Sequence, residues 1–315
     1  MELDKPEPLE KAMAENAPDI VKDGIRITHP GRVVFPGQGV TKFDLVEYYE
    51  AAAALMLPHL ADRPLSLVRC PGGSTKHCFF QKHDSGGFPK SMHHVAIEES
   101  SGEKAEYFYV DGLSGILGAV QMNTLEFHIW GSRVDQVEKP DRIVFDLDPD
   151  VGLDFEDVRR AALDFRDRLA SIGLETFPML SGGKGFHIIA PLTRRANWVD
   201  TKAFCKGFAG LVSTEAPERY VANMAKAKRK GRIFVDYLRN ERGSTAIAPY
   251  STRSRDGAPV AAPISWAEVK TVPAANAFTV QNMPERIRKV GDPWRGYFDV
   301  RQSITKALMK AVNTA

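Results

Sequence analysis

The chain has 315 residues, enough for one large α/β domain or two of about 150 residues each, and ample to bury a core. Apolar residues at 43% and charged residues at 26% match the globular average and exclude a largely disordered chain. The 42 Lys and Arg nearly cancel the 40 Asp and Glu, for a net charge of +2, so a nucleic-acid surface would have to come from local clustering. No apolar run approaches the roughly 18 residues of a membrane span, and the acidic N-terminus lacks the apolar centre of a signal peptide. Cys70, Cys78 and Cys205 are too few for a disulfide framework and fit a reducing cytoplasm.

Residues 1–20 carry six acids against Lys5 and Lys11, interrupted by Pro6, Pro8 and Pro18, which reads as a loosely ordered acidic arm. Short strands follow at 25–28 and 33–35. Thr41 is placed to cap a helix over 42–57, with Phe43, Val46, Tyr49 and Ala53 at helical spacing. Strands are expected at 64–69, 94–97 and 107–110, the last two joined through a hairpin at Ser101-Gly102-Glu103, then a helix over 113–122 and a strand over 125–130. The second half reads as a strand over 142–147 and a helix over 155–171 ended by Gly173. Strands at 176–180 and 186–190 follow around a glycine turn, then helices over 199–214 and 219–230, and a strand over 233–238. From Pro293 the chain is irregular and ends in a short helix. No break divides residues 21–300, and 301–315 form a helical tail. The absence of a β-α-β-α rhythm favours an α+β fold.

The sharpest local signal is Ile143-Val144-Phe145-Asp146-Leu147-Asp148-Pro149-Asp150. Strand side chains alternate, so Asp146 and Asp148 share a face, and Pro149 ends the ladder. Two hard oxygen ligands there suit Mg²⁺ or Mn²⁺ together with substrate phosphates. The bland alternative is a turn of capping aspartates before the helix at Phe155. An Asp-x-Asp strand end belongs to nucleotidyl-transfer enzymes, but also to haloacid-dehalogenase-like phosphatases, where the first Asp, here Asp146, is the nucleophile. That second motif usually has Thr or Val where this chain has Asp150, and it usually opens its domain.

Ser181-Gly182-Gly183-Lys184-Gly185-Phe186-His187 can turn backbone N–H groups and the Lys184 charge towards a phosphate, or can be a glycine hairpin with a surface lysine. Its spacing is not that of a Walker A loop. Asp236, inside the apolar run Ile233-Phe234-Val235-Asp236-Tyr237-Leu238, is either an edge-strand charge or a third metal carboxylate. Residues 226–232 hold five basic side chains in seven, and Arg239, Arg242, Arg253 and Arg255 follow. They form a solvated face or a channel for a phosphate backbone. Cys70, His77, Cys78, His83, His93 and His94 cluster without any zinc-ligand spacing. Phe79 and Phe80 fit a core strand and a base-stacking platform equally well.

In this order and spacing, the Asp146-Leu147-Asp148, Ser181-to-His187 and Val235-Asp236-Tyr237 motifs resemble the archaeo-eukaryotic primase superfamily. Thr41-Lys42, Cys78-Phe79-Phe80-Gln81-Lys82-His83 and Ala248-Pro249-Tyr250-Ser251-Thr252-Arg253 narrow the resemblance to the polymerase domain of bacterial ATP-dependent DNA ligase D, over roughly residues 24–300. The resemblance implies a primase-polymerase fold, with a mixed or antiparallel central sheet carrying the carboxylates, flanking helices and a second, smaller sheet. It implies a template-dependent nucleotidyltransferase that extends primer 3′ ends at gaps or breaks in non-homologous end joining and is able to use ribonucleotides. Asp146, Asp148 and Asp236 would hold two divalent ions, Mn²⁺ or Mg²⁺. His128, Ser181, Lys184, His187, Arg229 and Arg253 would contact the incoming NTP or dNTP. His29, Arg32 and Lys42 would bind a downstream DNA 5′-phosphate, and Phe79 and Phe80 would pack on the template.

A Ku-like end-binding protein and a separate DNA ligase are the implied partners, in a cytoplasmic, nucleoid-associated setting with no membrane. Ligases carry Lys-x-Asp-Gly, whereas Lys22-Asp23-Gly24 lacks the spacer, so sealing of nicks is not expected. The acidic start favours a stand-alone relative over an excised domain. The competing readings are a de novo primase, the phosphatase, and a non-catalytic DNA-end binding module.

Overall fold

The computed structural model describes residues 17–313. The first sixteen residues of the expected arm lie outside the described residues. Strands β1 (Ile20–Lys22) and β2 (Ile25–Ile27) pair through Asp23 and Gly24, both at positive φ, the geometry of a tight two-residue hairpin. β3 (Val33–Phe35) and β4 (Val40–Thr41) form a second small ribbon that leads into helix α1 (Lys42–Leu60). Thr41 caps α1 as its position implies: its hydroxyl accepts from Asp44 N at 3.2 Å, and the Asp44 carboxylate accepts from Thr41 N at 2.7 Å. The helix passes Pro58 and runs on to Leu60. Arg63 takes the His59 carbonyl, while Arg133 takes those of Pro58 and Ala61.

β5 (Leu65–Arg69), β6 (Phe79–Gln81), β9 (Thr124–Ile129) and β15 (Ala246–Ile247) make a four-stranded sheet in the order β15-β9-β5-β6. Between β6 and β9, β7 (His93–Glu98) and β8 (Lys104–Tyr109) form the expected hairpin, followed by helix α2 (Leu113–Gln121) against α1. The larger sheet has six strands in the order β13-β14-β10-β12-β11-β16. Its members are β10 (Arg142–Pro149), β11 (Phe177–Leu180), β12 (Phe186–Pro191), β13 (Tyr220–Val221), β14 (Ile233–Asp236) and β16 (Ala262–Pro263). Every pairing is antiparallel except β13 with β14.

Helices α3 (Phe155–Ser171) and α4 (Trp198–Glu215) cover one face of the six-stranded sheet. There Phe145, from the middle of β10, meets Phe165 and Phe208 at ring-centre distances of 5.8 and 5.2 Å. Each such buried ring contributes roughly 1.5–3 kcal/mol. Odd-numbered β10 residues fill this core, so Val144, Asp146 and Asp148 point to the opposite face. On that face Val144 joins Phe177, Met179, Ile189, Ile247, Trp294 and Tyr297 in a second apolar cluster. The α+β architecture, with a central sheet and a smaller second sheet, is the one expected.

Two expectations need correction. Residues 219–230 are not a helix. Tyr220–Val221 is drawn into the sheet beside β14, Tyr220 donates its hydroxyl to Asp164 at 2.7 Å, and only a turn at Lys226–Lys228 remains of the basic run. Like charges on successive turns oppose a helix there. Cys70 and Cys78, read from the cysteine count as outside any disulfide, are bonded to one another. The β5–β6 register sets Arg69 opposite Phe79, so the next pair outward is Cys70 and Cys78, with Cα atoms 4.3 Å apart.

Closing this short loop restricts the unfolded chain by about 2–3 kcal/mol. Cys70→Ser, or dithiothreitol treatment of the wild type, is expected to lower the unfolding free energy by about that amount in urea titrations. A thiol assay on the untreated, unfolded protein should count one free cysteine rather than three.

Candidate active site

β10 lies between β12 and β14, and its register assembles the polar centre. Asp146 stands opposite His187 on one side and Asp236 on the other. His187 Nε2 lies 3.5 Å from Asp146 Oδ2, and Arg239 Nη2 lies 3.1 Å from Asp236 Oδ2. Asp148 stands opposite Phe234, whose ring carries the Arg229 guanidinium at 3.8 Å, while Arg229 Nη1 is 3.9 Å from Asp148 Oδ2. Pro149 is the last ladder residue, paired with Ile233, so Asp148 is at the open end of the strand.

The three carboxylates are not electrostatically equal. Burial raises Asp148 above its ordinary value and the Asp146 charge adds to it. Burial likewise raises Asp236, with Asp146 again adding and Arg239 opposing. For Asp146 burial acts upward too, but the facing His187, aided by Arg239 and Arg253, outweighs it and holds the group low. Among the described residues, no three His, Cys, Asp or Glu side chains enclose a cation unaided. An oxygen-only donor set of carboxylates kept close against their mutual repulsion fits Mg²⁺ or Mn²⁺, which need only one or two carboxylates when substrate phosphates complete the shell.

The glycine-rich segment is the β11–β12 turn. Ser181 accepts from Gly183 N and Gly185 N, each at 3.3 Å, and its own N–H donates to Gly185 O at 3.0 Å. Gly185 is required by close approach: a Cβ there would lie 1.9 Å from the Leu147 carbonyl oxygen, between the two aspartates of β10. Gly182, at φ 66°, would place a Cβ against Arg253 and Val260. Lys184 is the exposed tip of the turn. Arg253 Nη1 donates to Ser181 O at 2.8 Å, which ties the 253 segment to the turn.

Across from this turn, β9 contributes His128 and a residue the sequence reading did not assign, Glu126, which is only 4% exposed. Glu126 Oε2 lies 2.8 Å from His128 Nε2 and 3.2 Å from Arg253 Nε, and its Oε1 accepts from Ser254 N and Oγ at 2.7 and 2.6 Å. Burial alone would raise Glu126. The hydrogen bond from His128 and the charge of Arg253 overcome it and bring the group down to about 2. His128 is itself held below its ordinary value by burial. The signal was available: Glu126 and His128 lie at i and i+2 in an apolar strand, the spacing that marked Asp146 and Asp148. Arg239 was noticed only as part of a basic flank and not as the partner of Asp236.

Two further groups were expected to contact DNA. Phe79 and Phe80 are not core residues. Phe80 is 64% exposed, its ring 5.4 Å from that of His128. His29, Arg32 and Lys42 are brought together by a turn in which Arg32 N donates to His29 O and Lys42 N to Arg32 O. Lys42 is buried, with Nζ bonded to Thr28 O at 2.9 Å and to Gln121 Oε1 at 3.4 Å. Burial, then the charge of Arg32, pushes it down to about 8. The histidines near Cys70 and Cys78 pair elsewhere: His83 with Glu99, His93 with Asp111, His94 with Asp84.

An antiparallel sheet that presents paired strand-end carboxylates to a glycine-rich turn and a ring of Arg and His defines a primase-polymerase. The family described as "LigD, primase-polymerase domain" matches residues 41–294, and the chain belongs to it. It is 36% identical over 289 residues to the multifunctional non-homologous end joining protein LigD of Pseudomonas aeruginosa, covering 91% of this chain and 34% of that protein. It is 29% identical over 275 residues to the bifunctional LigD of Bacillus subtilis, covering 87% and 44%. The chain thus spans a third to under half of these curated relatives. The polymerase domain from Mycobacterium tuberculosis ligase D in complex with DNA superposes with a TM-score of 0.80 at 31% identity, covering 86% of this chain and 96% of that one. Family membership sets aside the phosphatase reading of Asp146.

Glu126 contributes stability that is fully present above pH 4.5 and is lost as pH falls towards 2, on the order of 3 kcal/mol for a shift from 4.5 to about 2. Glu126→Gln is expected to lose much of this at pH 7. The gap between variant and wild type in urea unfolding should shrink at pH 3. A gap independent of pH would refute the assignment.

Proposed function

We propose that this chain is a template-dependent nucleotidyltransferase that extends primer 3′ ends at gaps or broken DNA ends, in non-homologous end joining. The observation that carries this reading is the meeting of Asp146, Asp148 and Asp236 across adjacent antiparallel strands, beside the turn that bears Ser181 and Lys184. The relatives' names place them in end joining, and the M. tuberculosis domain holds DNA. Mn²⁺ or Mg²⁺ ions held by Asp146, Asp148 and Asp236 would lower the pKa of the primer 3′-hydroxyl and neutralise triphosphate charge.

The other roles belong to the chain itself. Lys184 and Arg253 receive the triphosphate of an NTP or dNTP and spread its negative charge. Ser181 holds the turn N–H groups in place. Glu126 fixes His128 and Arg253 as one unit against the nucleotide. His187 keeps Asp146 ionised, and Arg229 partly offsets the burial that raises Asp148. Phe79 and Phe80 offer stacking faces to the template bases. His29, Arg32 and Lys42 form a compact cationic cluster at the start of α1, where the helix dipole also favours a 5′-phosphate. A Ku-like protein and a separate ligase complete the reaction scheme.

Extension of a labelled primer across a short gap bearing a downstream 5′-phosphate, with Mn²⁺ or Mg²⁺ and NTPs or dNTPs, tests the reading. Asp146→Ala/Asp148→Ala should fold and lose at least about a hundredfold of the extension rate. Extension that survives the double substitution sinks the mechanism. Synthesis without any primer would favour the de novo primase, and tight DNA binding without extension would favour the end-binding module.

Lys42 provides a second test. Its charge is half lost at about pH 8 in the free protein, so affinity for 5′-phosphorylated gapped DNA should fall between pH 7 and pH 9, and Lys42→Ala should abolish both the affinity gain and its pH dependence. The same loss on DNA lacking the phosphate would refute the cluster's role.

A further inference from the structure

At the start of β10, away from the carboxylates, lies a second concentration of charge. Arg63 and Arg142 are 0% and 3% exposed, and Arg133 borders them. Three guanidinium groups here share one carboxylate. Asp141 has both oxygens taken by Arg63, at 2.8 and 2.5 Å, with Arg142 Nε at 3.4 Å and Arg133 Nε at 3.5 Å. Arg63 and Arg133 spend their remaining donors on the carbonyls that end α1 and on Trp130 O. Arg142 does not. Its Nη1 and Nη2 make no hydrogen bond among the described residues, Arg142 lines a cavity, and its guanidinium is flanked by the Tyr297 ring at 5.7 Å. Tyr297 Oη and His59 Nδ1, both buried, also lack partners. A surplus of two positive charges over Asp141, carried on side chains this little exposed, is costly unless an anion at the cavity compensates it.

Arg133, Asp141, Arg142 and Tyr297 border a cavity of about 410 Å³ whose outer wall includes Arg194, Arg301, Thr193 and the exposed Phe298. Arg194 is engaged by Asp135 and Arg301 by the carbonyls of Phe298 and Val300, so both stay fixed at the rim. We propose that this cavity is a binding site for a phosphate-type oxyanion, with Arg142 as its buried anchor and Arg133, Arg194, Arg301 and Tyr297 as its walls. A phosphate dianion would supply acceptors for Arg142 and Tyr297 and cancel the charge surplus. The volume exceeds that of a bare oxyanion, so the phosphate of a small nucleotide is admitted as well as the free ion. The site is distinct from the polymerase centre and does not depend on the function proposed above.

The test is the unfolding temperature in EDTA at constant ionic strength, in a Lys42→Ala background so that the cluster at α1 does not contribute. Inorganic phosphate at 10 mM, against matched chloride, is expected to raise it by about 3 °C. Arg142→Gln should abolish the shift. Because that buried substitution can unfold the chain, Arg194→Glu/Arg301→Glu, confined to the rim, is the second variant and should abolish the shift by repelling the anion. Counting only the part of each shift that the rim variant removes, a larger shift with adenosine monophosphate than with phosphate supports a nucleotide as the natural source, and equal shifts support the free ion. No shift beyond chloride, meaning that water satisfies Arg142, overturns the proposal. So does a shift that the rim variant retains in full.

Discussion

The register of three strands is the constraint on which the site is built. Asp146 faces His187 across one ladder and Asp236 across the other, so a one-residue slip of either neighbour would turn its polar side chain into the core beneath α3 and α4. The slip is prevented from the opposite face. Phe145 is locked between Phe165 and Phe208, and Leu147 and Phe186 are buried beside it. Gly185 allows the turn backbone to lie against Leu147 O, which no other residue permits. The glycine-rich turn and the carboxylates are therefore held in fixed relation by apolar packing and one close backbone contact.

The two carboxylate systems of the site are opposites in electrostatic terms. Glu126 is saturated by His128, Arg253 and Ser254, and its ionised form stabilises the fold. Asp148 and Asp236 lie where burial and their neighbour Asp146 both disfavour charge. The first arrangement makes a rigid positioning element, and the second leaves attraction for cations unsatisfied. A folding optimum would have removed the second. Carboxylates whose charge is disfavoured by their surroundings, set beside a saturated one, are the pattern of a functional site rather than of a structural ion pair.

Much of this was legible in the sequence, and the legible parts share a cause. Helices with a capping residue and an apolar stripe, such as α1 with Thr41 and α3 with Gly173, are set by local chemistry. So are strands whose apolar alternation delivers two aspartates to one face. The failures are non-local. Residues 219–230 look helical, but β14 captures Tyr220–Val221 from across the chain. The Cys70–Cys78 bond follows from β5–β6 register rather than from cysteine count. Glu126 escaped notice because one acid in a strand means little until Arg253 and Ser254, distant in sequence, are seen to close on it. Phe79 and Phe80 were ambiguous for a related reason: nothing local says whether an edge strand will be covered.

β10 carries opposite charge at its two ends, and this gives the strand a meaning beyond any single residue. Arg142 opens it among surplus guanidinium groups, and Asp146 and Asp148 close it among surplus carboxylates, all on one face of one strand. Val144, Ile189 and Ile247 fill the space between them, an apolar spacer that keeps the two from neutralising each other. Direct pairing would be cheaper for folding, since buried opposite charges stabilise each other once desolvated. Holding them apart leaves each end with an excess of one sign of charge. A single strand thus presents two regions of opposite excess charge along one face of the sheet, and the apolar cluster between them is what keeps them distinct.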